Sequence, residues 1–138
     1  MAQRFMNIGA VTVGNPAAAT NFSYTVPDGP PIRVVGVDFI LTTGAGATSR
    51  KIRIQGFDGV SAFNTHLAAV VQAATITGNV HANRGGSTHG LLDATNQWHS
   101  IGLDVNFVLN PGEILRSAIV GITGTDQISA IVIRRELL

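Results

Sequence analysis

The side chains in this sequence that could do chemistry are four histidines, eight carboxylates and a lone tryptophan. His66, His81, His89 and His99 are enough in number for a metal site, yet their spacing supplies none of the arrangements that hold one. There is no His-x-His pair, no His at i and i+4 on an expected helix, and no His at a fixed offset from a Glu. Solvated loop histidines are therefore expected, with no metal and no cofactor. The glycine loop over residues 44–49 lacks the Gly-Lys-Ser/Thr ending of a phosphate cradle and leads into a strand, so no helix amino terminus is present to hold an anion. Asp38, Asp58 and Asp93 have no same-face carboxylate partner by spacing, and no Gly-x-Ser-x-Gly elbow occurs. Catalysis is not expected.

Two features point to contact with other surfaces. Trp98 lies where a long polar stretch meets a strand, a place suited either to an interface anchor or to an ordinary core aromatic. Arg134, Arg135 and Glu136 charge the end of the last strand, serving either solubility or an inter-subunit salt bridge.

Composition sets the frame for both. The chain has 138 residues, enough for one domain spanning 1–138, and is 45% hydrophobic but only 12% charged. Ordinary soluble domains carry about twice that charge. Nine basic and eight acidic residues leave a net charge of +1, which gives no electrostatic footprint for nucleic acid. Eight of the nine cations are Arg, the cation better suited to interfaces because its guanidinium is weakly hydrated and bonds carboxylates through two donors; codon bias is the alternative source. Without cysteine there is no disulfide or thiolate site. Asn7 and Gly9 interrupt any secretory apolar core, and no run reaches a membrane span, so a cytosolic product without a membrane partner is expected.

The positioning elements read as strands. Alternation places Ile101, Leu103, Val105, Phe107 and Leu109 on one face, with Asp104 and Asn106 on the other. Phe22, Tyr24 and Val26 form a second such set, and Ile52 and Ile54 a third. The stretches 32–42, 114–122 and 128–133 are apolar on both faces, and with 4–13 they bring the count to seven. In the last of them Ile128, Ala130 and Val132 are expected in the core, with Ile131 and Ile133 outward and in need of a cover. The turns at 27–31, 43–49, 110–113 and 123–126 read as tight connections between antiparallel neighbours, and 110–113 has the Pro-Gly order of a type II turn. Leu67, Val70, Val71 and Ala74 fit a short amphipathic helix capped by Asn64 or Thr65, whereas 74–77 reads as strand; both readings stand. Residues 78–99 are too polar and too long for a simple connection, and a functional or mobile loop is expected there, its 78–90 part mobile until a partner orders it.

These elements add up to an all-β, antiparallel sandwich of jelly-roll type with about eight strands. The strand succession, the turn into strand over 109–116 and the final strand 128–135 resemble viral jelly rolls. With its length, low charge and Gly/Ala/Thr-rich texture, the chain resembles the jelly-roll cement, or decoration, proteins of tailed-phage capsids, of the Bordetella-phage type. That resemblance implies a structural protein on the capsid exterior of the virion. Its partners would be the major capsid protein and its own copies, as homo-dimer or homo-trimer. No residue of the family carries over, and the candidate interface residues are Ile131, Ile133, Trp98, Arg134 and Arg135. A carbohydrate- or receptor-binding module of a phage tail is the alternative, and a metal-dependent cupin-like enzyme is disfavoured by the histidine spacing.

Overall fold

The computed structural model describes residues 8–46, 48–92 and 95–138. Among them are eleven strands and no helix: β1 (Ile8–Val13), β2 (Ser23–Thr25), β3 (Ile32–Thr42), β4 (Arg53–Phe57), β5 (Ala62–Leu67), β6 (Thr77–Arg84), β7 (His89–Leu92), β8 (Asn96–Leu103), β9 (Val108–Leu109), β10 (Ile114–Ser117) and β11 (Gln127–Leu137). They form a β-sandwich. The larger sheet runs β1-β11-β3-β6-β8-β7, with β9 also on β3, and the smaller runs β2-β10-β4-β5. The part of the expected first strand before Ile8 lies outside the described residues.

Eight of these strands pair in a nested way. β1 pairs with β11, β2 with β10, β3 with β6 and β4 with β5, all antiparallel. Successive pairs alternate between the sheets, as they do when one long hairpin is wrapped around a core. That core is a single cluster: Val34, Phe39, Val80, Ile101 and Ile133 from the larger sheet meet Phe22, Ile54 and Leu115 from the smaller side. Phe22 and Phe39 touch edge to face, with ring centroids 5.4 Å apart.

Wrapping changes the meaning of the turns. Residues 26–31, 43–52, 110–113 and 118–126 each connect a strand of one sheet to a strand of the other, so the connections read as hairpins are arches across the sandwich. The turn at 110–113 does have the expected form, with Glu113 N donating to Asn110 O at 3.0 Å and Gly112 at φ +87°.

Three further expectations are corrected. Of the two readings open over 64–77, the helix does not form: the Ala68 amide donates to Ile52 O and Gln72 forms a bridge with Arg50, so the chain runs beside the segment that leads into β4, and of 74–77 only Thr77 is strand. Leu67, Val70 and Val71 are exposed there, while Ala68, Gln72 and Ile76 are buried. Residues 78–99 are not one mobile loop but contain nearly all of β6, the whole of β7 and the first half of β8, and β6 lies inside the larger sheet between β3 and β8. The single regular run over 101–109 is broken: Asp104 O and Oδ1 accept from Phe107 N and Asn106 N, turning the chain between β8 and β9 and leaving Val105 exposed.

The last strand carries the correction that matters most for function. Ile131 and Ile133 do not face outward; both are 0% exposed in the core, as is Ile128. β11 is bulged between Ser129 and Val132, where Ala130 takes φ +51°. The extra residue flips the alternation beyond it, so Ile131 and Ile133 rejoin the face of Ile128 and Val132 turns outward.

Candidate functional site

β8 runs parallel to β6, an arrangement rarely reached through so short a connection. It is possible here because the chain leaves β6, passes over the end of β8, forms β7 beyond it and returns. Gly102 permits the crossing: a Cβ there would stand 2.1 Å from Gly86 O. The crossing is tied down where Ser100 Oγ donates to Ser87 O (3.0 Å) and Gly102 N donates to Thr88 Oγ1 (2.9 Å).

On β8 the alternation then sorts the side chains. Gln97, His99, Ile101 and Leu103 are buried, while Trp98, Ser100 and Gly102 point away from the core. Ser100 has His81 of β6 on one side and His89 of β7 on the other, and Trp98 lies opposite Leu91. A small residue between larger ones makes a floor with walls. The result is a cup of about 450 Å³ lined by Ser100, Trp98, His81, His89 and Leu91, within the size range of small-ligand pockets.

Trp98 is 51% exposed and is held in place from across the sheet. The His81 ring stacks on it with centroids 4.9 Å apart and planes 17° apart. His81 Nδ1 is 3.1 Å from Asp38 Oδ1, and because an ionised carboxylate can only accept, Nδ1 is the protonated nitrogen. Asp38 Oδ2 accepts from Arg134 Nη1 at 2.5 Å, and Arg134 Nη2 donates to Asn83 Oδ1 at 2.9 Å. Arg134 lies flat over Gly36, where a Cβ would come within 2.3 Å of Nη2. Four residues on four strands thus form one chain of contacts from Arg134 to Trp98. Beside it, Glu136 accepts from both Arg33 and Arg84 at 3.1 Å.

Of the candidate interface residues, the structure brings Trp98 and Arg134 together on this face, while Ile131 and Ile133 lie beneath it in the core. Arg135 belongs to the β1 side, its guanidinium across Gly9. Asp38, His81 and Asn83 were not singled out by motif, although the alternation of Asn79, His81 and Asn83 against Val80 and Ala82 was a readable strand signal.

Asp38, His81 and Ser100 are residue types of an acyl-transfer triad, but no hydrogen bond joins His81 to Ser100. Ser100 Oγ is bonded to Ser87 O, and His81 Nε2 is buried with no hydrogen-bond partner among the described residues. As it stands, the geometry is that of a rigid aromatic platform. Of the remaining histidines, His99 is buried and His66 partly so. Burial pushes His99 down to about 4, and it lies with Nε2 3.2 Å from Gln72 Oε1. Burial also lowers His66, whose Nε2 accepts from Asp104 N at 3.0 Å. Among the described residues, no group of three or more His, Cys, Asp or Glu is placed to hold a metal.

Comparison with family models, with curated proteins and with solved structures finds no match to this chain.

Proposed function

We propose that this is a structural protein of a virus particle, a jelly-roll cement protein that binds the outside of a capsid shell and holds neighbouring major capsid subunits, with self-association as dimer or trimer. The observation that carries the reading is Trp98, half exposed on an inner strand of the larger sheet and fixed there by His81, Asp38 and Arg134. A large aromatic that is already immobilised loses little entropy on binding, the property that makes tryptophan an interface anchor. The nested pairing of β1/β11, β2/β10, β3/β6 and β4/β5 supports the jelly-roll assignment, with β7, β8 and β9 as additions carrying the anchor. Cosedimentation of the purified protein with particles from its source tests the function. Trp98→Ala is expected to weaken pelleting by roughly thirtyfold or more, in line with a hot spot of about 2 kcal/mol. A protein that never pellets with particles refutes the reading.

The cup itself favours one second reading, a carbohydrate-binding module, since Trp98 offers an aromatic face beside the Ser100 hydroxyl. A glycan array decides it. Binding to a glycan that Trp98→Ala abolishes, without particle binding, would replace the first reading.

A further inference from the structure

The smaller sheet has a different outer face. On it lie Lys51, Arg53, Gln55 and Phe57 along β4 and its extension, and Ile114 and Arg116 of β10, with Arg116 opposite Gln55. The guanidinium of Arg116 sits 3.9 Å over the Phe57 ring and donates through Nε (3.1 Å) and Nη2 (2.9 Å) to Gln55 Oε1. Gln55 is held in turn by Thr65 Oγ1, which accepts from its Nε2 at 3.2 Å. Arg53 is anchored through Nε to Ala118 O at 2.8 Å. Both arginines are thus fixed through part of their donor set. Arg116 Nη1 and both terminal nitrogens of Arg53 make no hydrogen bond to protein among the described residues.

What this face lacks is negative charge. The ion pairs of the described residues engage Arg33, Arg50, Arg84, Arg134 and His81, and none reaches Lys51, Arg53 or Arg116. The carboxylates flanking the face, Asp58 and Glu113, are in turns and accept from backbone amides, of Val60 and Ser61 and of Asn110 respectively. The chain has almost as many acids as bases, so three cations without an acidic partner among the described residues on one sheet face is a matter of placement. A guanidinium fixed through one edge with its other donors free is preorganised to receive a carboxylate.

We propose that the outer face of the smaller sheet docks a carboxylate-rich protein surface, with Arg53 and Arg116 as its bidentate contacts and Lys51 beside them. The inference goes beyond the proposed function and does not depend on Trp98. It places a second, chemically distinct contact face on the opposite side of the sandwich from the cup.

The test uses the intact chain and poly-L-glutamate as the probe, with duplex DNA and phosphatidylserine vesicles in parallel. Polyglutamate is expected to bind in a salt-sensitive way, and the double variant Arg53→Gln, Arg116→Gln to bind about tenfold more weakly or worse. Arg135→Gln, which removes a cation from the other sheet, should stay within about twofold. Hydrogen exchange on the unaltered protein is the second measurement. Added polyglutamate should protect residues 51–57 and 114–118 and leave 96–103 unchanged. No binding to polyglutamate, binding to DNA or vesicles in its place, equal losses in both variants, or protection confined to the larger sheet would each overturn the proposal.

Discussion

The guanidinium of Arg50 and the carboxylate of Asp126 face each other in a two-pronged pair, Nε to Oδ2 and Nη2 to Oδ1, both at 2.8 Å and both residues 0% exposed. Each belongs to a different arch between the sheets. Arg50 also donates through Nη1 to the carbonyls of Gly46 and Thr48, and Asp126 accepts from the amides of Gly44 (2.8 Å) and Thr123 (3.0 Å). Burial pushes the Asp126 carboxyl up, and the Arg50 guanidinium with the two amides more than reverses that, holding it below the ordinary carboxylate value. The pair closes one end of the sandwich.

Removing one partner leaves the other charge buried and alone, which costs about 3–5 kcal/mol. Asp126→Ala is expected to lower the unfolding free energy in urea by that amount. The double change Arg50→Met, Asp126→Leu should recover a good part of it, though not the bonds to Gly44 and Thr123. A single variant as stable as the parent would show that the arches hold without the pair.

A second expectation concerns Ala130, whose φ of +51° makes the bulge that turns Ile131 and Ile133 inward. The left-handed region is strained for a residue with a Cβ and worse for a β-branched one. Ala130→Val is expected to destabilise by about 2 kcal/mol or more and Ala130→Gly to be close to neutral. Thermal melts of the two variants check the order, and a reversed order would place the strain elsewhere.

How much was legible in the sequence follows from what alternation can and cannot carry. It placed Ile101, Leu103, Phe107 and Leu109 in the core correctly, because inward and outward residues differ in polarity there. Over 128–133 both faces are apolar, so the period gave no phase, and one bulge residue reversed the assignment. Turn chemistry located the reversal at 110–113, but a turn does not record whether the next strand pairs with the last or crosses to the other sheet. Of the candidate site, Trp98 was visible as a lone aromatic at a strand start. Its support was not, since Asp38, His81 and Arg134 are brought together only by register across β11, β3 and β6.

The crossover that builds the cup rests on Gly102. A Cβ at 2.1 Å from Gly86 O meets backbone, which cannot rotate aside. Gly102→Ala is expected to displace the 85–88 crossing and with it β7, changing Trp98 fluorescence, a clean reporter because the chain has one tryptophan. Stability should fall by about 1–3 kcal/mol, the usual cost of overpacking. Unchanged fluorescence and stability would mean that the crossing has room to move.

Acid should loosen the same region by a separate route. His99, 0% exposed beside Gln72 and Gln97, is pushed by burial from 6.5 down to about 4, and among the described residues its Nδ1 has no partner to stabilise a proton. The unfolded chain takes up that proton near pH 6.5, whereas the folded protein resists until about 4. The folded state therefore has its full stability above pH 6.5 and loses it progressively as pH falls to 4. At about 1.4 kcal/mol for each pH unit the loss is about 3 kcal/mol. His66, also lowered by burial, acts in the same direction, and Asp126, lowered, adds its loss only as pH falls below the ordinary carboxylate range. Urea unfolding at pH 7, 5.5 and 4 measures the slope. His99→Gln keeps a donor for Gln72 and removes the titration, so its stability should fall less across this window than that of the parent. Parallel slopes for the two proteins would show that His99 does not set the acid response.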